Sequence, residues 1–94
     1  MVKIPQEGSA FSCDDLCISK DSKNAELAHQ FINFVTDPAN AAQNMQAITG
    51  RSPNSSAYQL LSEDFRGNAA LFPDEAVFAK CEPIDDLGDA LALW

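Results

Sequence analysis

Positive charge is scarce in this chain: 6 Lys and Arg stand against 14 Asp and Glu among 94 residues, a net charge of −8. A surface of that sign repels phosphate backbones and anionic lipid. Nucleic acid is therefore not expected as a partner, while cations and cationic ligands are favoured. Histidine occurs once, as His29. A metal site would need two or three further ligands converging on it, so His29 reads as a solvated or capping residue, and no metal or cofactor is expected. No CxxC spacing is present, which removes a zinc ribbon and a thioredoxin-type motif. A thiol–histidine dyad would also need an orienting third group and an oxyanion site. Nothing at suggestive spacing supplies them, so no catalytic residue is assigned and the chain is not expected to be an enzyme. The acidic cluster Glu82, Asp85, Asp86 and Asp89 lacks the spacing of a calcium loop. Asp85 and Asp86 read instead as the start of a last helix, where carboxylates complement the dipole. No apolar run approaches the ~20 residues of a membrane-spanning helix, and MVKIPQEG has no apolar secretion-signal core.

What is present suits one small domain. Hydrophobic residues make up 46% of the chain, and a chain of this size buries roughly 60–65% of its unfolded surface. The stretch Ala10 to Ile18, AFSCDDLCI, is the best strand candidate. Ser12, Asp14, Leu16 and Ile18 would share one face, and Phe11, Cys13, Asp15 and Cys17 the other. Neither face is cleanly polar, which predicts burial on both sides, as in a central strand. Asp14 and Asp15 must then point to opposite faces, and the inward carboxylate needs a partner. In a strand, Cys13 and Cys17 lie roughly 13 Å apart, beyond the reach of a disulfide. Cys81 could pair with either and leave one thiol free, but the expected state is three small buried thiols.

Helical signals follow. Asn24 is placed to cap a helix with Glu26 in its first turn. Leu27, Ala28, Phe31, Ile32 and Val35 form an apolar stripe wide enough to face a core, and the Phe31/Phe34 pair reads as core or packing surface. Asp37-Pro38 ends that helix and opens another, which carries Ala41, Ala42, Met45 and Ile48 and is closed by Gly50. Asn54 caps a short helix through Tyr58, Leu60 and Leu61. Ser62 to Arg66 makes one more turn, stopped by Gly67, and Pro73-Asp74-Glu75 opens another containing Val77 and Phe78. From Ile84 to Trp94 the spacing of Leu87, Leu91 and Trp94 predicts a last helix that stops on its apolar stripe. The expected order is one strand and then five or six helices. A lone strand cannot satisfy its backbone groups, so its partner strands are expected elsewhere and the chain reads as a fragment. Its unpaired edge would favour self-association.

The order of these motifs resembles a known family. Ile4-Pro5-Gln6-Glu7-Gly8, then AFSCDDLCISKDSKN, then AHQFINFVTDP are similar to the final part of the periplasmic spermidine/putrescine-binding proteins of ABC importers. Ser52-Pro53-Asn54, Leu71-Phe72-Pro73 and Asp86-Leu87-Gly88 fall in the family's order, so the resemblance covers nearly all 94 residues. It implies a two-lobed α/β protein closing on a ligand at a hinge cleft. Residues 1–94 would be a mostly α-helical C-terminal fragment with one N-terminal strand, missing most of the first lobe and nearly all of the second. The implied function is periplasmic capture of a polyamine for delivery to a membrane permease. Asp14 falls on the family's cleft aspartate, which meets a ligand ammonium, and Ser12 falls on a lining position.

Ser12 stands where the family carries an aromatic. Gly50 and Arg51 stand near another such position, and Ile84 stands in place of a glutamine. Each lost aromatic removes about 0.5–2 kcal/mol of cation–π attraction, and Arg51 in the cleft would repel a diamine. Two alternatives follow: a related solute or signal receptor with a non-polyamine ligand, or an unrelated helical interaction module that folds alone.

Overall fold

The computed structural model describes residues 3–84. Two short strands, β1 (Ala10–Phe11) and β2 (Glu82–Pro83), bracket five helices: α1 (Ala25–Thr36), α2 (Pro38–Ile48), α3 (Ser55–Gln59), α4 (Glu63–Arg66) and α5 (Glu75–Phe78). The helix expected over residues 84–94, with its start at Asp85-Asp86, lies beyond the described residues except for Ile84.

Polar side chains at the helix starts set most of the boundaries. Asp37 Oδ1 accepts from the backbone N–H of Ala39 at 3.1 Å and of Asn40 at 3.4 Å, with Pro38 in the first helical position. That position needs no N–H donor, so proline is at home there. Asn54, Ser62 and Asp74 cap α3, α4 and α5 in the same way. Asn24 occupies the cap of α1, but its side chain makes no capping bond. At the end of α2 the left-handed residue is Thr49, φ 54°, rather than Gly50. Gly50 donates its N–H to Met45 O at 3.0 Å, closing a Schellman turn one residue earlier than the glycine suggests.

The core gathers where α2 and α3 meet. Ala41, Ala42, Met45, Ala57 and Leu61 are buried, and Tyr58, Phe65 and Phe72 pack against them. Alanines on both helices let the backbones approach closely, and Met45 fills the irregular space between them. The Phe72 ring meets Tyr58 at 5.1 Å and Phe65 at 6.1 Å between centroids, both edge-on. Asn54 ties this centre to α1: its Oδ1 caps α3 while its Nδ2 donates to Thr36 O at 2.8 Å.

α1 departs from expectation. Ala28, Ile32 and Val35 are half-buried, whereas Leu27, Phe31 and Phe34 are exposed. The predicted stripe therefore splits, and its bulkier part has no covering surface among the described residues.

The strand region is corrected more strongly. The expected strand from Ala10 to Ile18 stops after Phe11, and residues 12–19 have no regular structure. Its partner lies within the chain, since β1 pairs in parallel with β2, Ala10 opposite Glu82 and Phe11 opposite Pro83. Glu82 N–H donates to Ser9 O and Ile84 N–H to Phe11 O. Pro83 contributes no donor, and pairing two residues long cannot hold a nine-residue strand. The short edge also leaves little template for the expected self-association. Beside it, Gly8 adopts φ +98° against α5, where an added Cβ would collide with the Lys80 carbonyl. Lys80 Nζ in turn donates to Gln6 O at 2.8 Å, so the turn and the end of α5 hold each other.

Candidate functional site

Asp14 and Ser12 sit just past β1, and both are exposed. Asp15 is exposed as well, so the strict alternation of a strand does not sort the two aspartates into inner and outer. Neither Asp14 nor Ser12 makes a side-chain hydrogen bond among the described residues. An exposed, unpaired carboxylate can accept an ammonium without first breaking another contact. Cys13 and Cys17 are exposed free thiols and Cys81 is a half-buried one. The expectation of three buried thiols therefore fails outright at Cys13 and Cys17, because the segment carrying them is not enclosed between sheet faces, and is met only halfway at Cys81. His29 is exposed on α1, and no cluster of three metal-binding side chains occurs among the described residues.

The more built arrangement lies at Arg51, immediately after α2. Its guanidinium carbon stands 5.5 Å from the centre of the Phe72 ring and 5.0 Å from that of Phe78. Phe78 also meets Phe11 of β1 at 5.7 Å. A continuous run of contacts thus leads from β1 through Phe78, Arg51 and Phe72 to Tyr58 in the helical core. Arg66 extends it, with its guanidinium 5.9 Å from the Tyr58 ring and its Nε buried without a hydrogen-bond partner. A cleft of about 380 Å³ opens between Arg51, Tyr58, Gln59 and Phe72. A second, larger hollow of about 800 Å³ runs along the uncovered side of α1, over Leu27, Phe31 and Phe34. Neither hollow is lined by Ser12 or Asp14. In the chain Ser12 follows Phe11 and Asp14 stands three residues beyond it, and Phe11 is the residue of β1 that meets Phe78.

Sequence reasoning singled out Arg51 from its place in the chain but missed its aromatic partners. Phe72 and Phe78 lie on later elements, and no local periodicity connects them to a loop residue. The one available signal was the order Arg51-Ser52-Pro53-Asn54, which fixes a loop and a cap but not what stacks above them.

Comparison with known proteins gives this geometry a context. A family model described as bacterial extracellular solute-binding protein matches residues 1–73. A putrescine/cadaverine-binding protein of Pseudomonas aeruginosa is 37% identical over 84 residues, covering 89% of this chain and 24% of that protein. A spermidine/putrescine-binding periplasmic protein of Salmonella typhimurium is 37% identical over 90 residues, 96% of this chain and 26% of the relative. The corresponding Escherichia coli protein is 34% identical over the same coverage. The chain thus spans about a quarter of the length of these relatives.

Proposed function

The chain belongs to the bacterial extracellular solute-binding protein family, and from that premise we propose that it is the C-terminal quarter of a periplasmic receptor for polyamines such as spermidine and putrescine. In this reading the complete protein has two α/β lobes that close on the ligand. It hands the ligand to an ABC permease and performs no chemistry on it. Asp14 holds a ligand ammonium, and Ser12 lines the same cleft.

The observation that carries the proposal is the match of nearly the whole chain to relatives named for putrescine and spermidine binding. The geometry around Asp14 supports it, since its carboxylate is exposed just past β1 and has no side-chain hydrogen bond among the described residues. Lobe closure would remove water from an ammonium–carboxylate contact and strengthen it, and a paired charge is tolerated where a lone one is not. A net charge of −8 further draws cations toward the protein. The uncovered face of α1 fits the same proposal, because the rest of the receptor would pack on Leu27, Phe31 and Phe34. A self-sufficient helical module gives that face no such purpose.

Thermal unfolding of the complete protein with putrescine, spermidine or 1,4-butanediol tests the proposal. A ligand that binds only the folded state adds about 2.7 kcal/mol of stability at a hundredfold its Kd. Both amines should therefore raise Tm and the uncharged diol should not. A Tm indifferent to both amines would refute the polyamine reading.

A further inference from the structure

We propose that Cys13 and Cys17 are the two ends of a reversible disulfide that closes residues 13–17, with Asp14 and Asp15 inside, into a small loop. The inference rests on the periplasmic location proposed above and not on the identity of the ligand.

The end of β1 is the first argument. Along a strand the two cysteines would be held with Cα atoms roughly 13 Å apart, and a bridge needs those atoms within about 7 Å. The structure removes that bar, because β1 stops at Phe11 and residues 12–19 have no regular structure. The segment is anchored at both ends. Phe11 O accepts from Ile84 N–H at 2.9 Å, and Ser19 O accepts from Ser22 N–H at 3.0 Å. Between those anchors, residues 12–18 make no backbone hydrogen bond among the described residues. Drawing Cys13 and Cys17 together therefore breaks no ladder. The short chain between them never lets their Cα atoms part by more than roughly 14 Å.

The choice of partner is the second argument. Three free thiols allow three pairings, and the structure sets Cys81 apart. Cys13 and Cys17 are exposed, whereas Cys81 is half-buried with its Sγ 3.6 Å from Val77 O of α5. Cys81 also stands just before Glu82, which lies opposite Ala10 in the parallel pair. It is therefore at the entry of that pair, while the segment carrying Cys13 and Cys17 leaves from the exit.

The chemistry needs an oxidising compartment and a disulfide donor. Relatives of this chain are named as periplasmic, and disulfides form and persist in the periplasm. One cysteine thiolate attacks the donor, forming a mixed disulfide and releasing one donor thiol. The other cysteine attacks the sulfur of the first and expels the second donor thiol. Two cysteine S–H bonds and one donor S–S bond are exchanged for one protein S–S bond and two donor S–H bonds, so both electrons pass to the donor. Asp14 and Asp15 between the thiols favour a donor without negative charge. Exposed bridges belong to the labile kind that thiols reduce again.

Peptide mapping of the complete protein tests the bridge. The reduced, folded protein is treated with submillimolar hydroxyethyl disulfide, a neutral donor, then denatured, alkylated and cut with trypsin. Residues 4–20 contain no lysine or arginine before Lys20, so Cys13 and Cys17 fall in one peptide. The expected product is that peptide without alkyl groups and two hydrogens lighter than its dithiol. It should exceed the form carrying two donor adducts at least about tenfold, because a short tether gives the second thiol an effective concentration in the millimolar range. Dithiothreitol should restore the dithiol, and Cys81→Ser should leave the bridge unchanged. A peptide found mainly with alkyl groups or donor adducts, or joined to the peptide of Cys81, would overturn the inference while leaving the polyamine reading intact. The mapping of the unaltered protein stands even if the variant unfolds. In a folded Cys81→Ser variant, loss of the bridge would overturn the pairing of Cys13 with Cys17.

Discussion

α1 and the junction of α2 with α3 are both built from helices with apolar faces, yet they end in opposite conditions. At the junction Ala41, Ala42, Met45, Ala57 and Leu61 are no more than 5% exposed, whereas on α1 Leu27, Phe31 and Phe34 are 60–64% exposed. The difference lies in the size of the residues and in the reach of the chain. Alanine brings two helices close enough to exclude water with little else between them. Leucine and phenylalanine need a broad opposing surface, and residues 3–84 supply one only for the side of α1 that carries Ala28, Ile32 and Val35. An apolar stripe in a sequence therefore states that something should cover it, without stating whether that surface is local.

The comparison can be broken most sharply at Phe31. In the complete protein, where the α1 face is proposed to be covered, Phe31→Ala should cost about 3–5 kcal/mol. In residues 1–94 alone it should change stability by no more than about 0.5 kcal/mol. Urea denaturation of both lengths measures the contrast, and equal small losses would mean that nothing packs on α1 in the intact protein. Met45→Ala sharpens the other half. Met45 is 2% exposed, and its truncation should cost about 2–4 kcal/mol in either length. A loss confined to the longer protein would show that the α2–α3 junction is not a core in its own right.

The same contrast marks what the sequence made legible. Helix starts were readable because a short polar side chain and the residues just after it settle each one locally, as at Asp37-Pro38, Asn54, Ser62 and Asp74. The extent of β1 was not, because a strand is as long as its partner allows. That partner, Glu82–Pro83, comes from the other end of the described chain. Asp14 was singled out by resemblance alone, and its exposure was not foreseen, since alternation along an assumed strand implied an enclosed position. Arg51 was visible as a residue out of pattern. Its stacking on Phe72 and Phe78 depends on packing between distant segments.

The closing turn of α2 offers a smaller test. Glycine at the C-cap was the natural reading, yet Thr49 takes the left-handed conformation, φ 54°. A β-branched side chain is disfavoured there, by roughly 1–2 kcal/mol for L-residues in general. Thr49→Gly should therefore stabilise the complete protein by about 1 kcal/mol in a denaturant titration. A loss of stability would mean that the threonine side chain contributes a contact outweighing the strain.

The central claim is that an amine is captured at Asp14, and calorimetric titration of the complete protein beside its Asp14→Ala variant tests it most directly. With putrescine and spermidine, the account predicts measurable heat for the unaltered protein from at least one of them. It also predicts a loss of affinity of about a hundredfold on substitution, as when one partner of a desolvated charge pair is removed. A folded Asp14→Ala protein that binds its amine as tightly as the original would contradict the account.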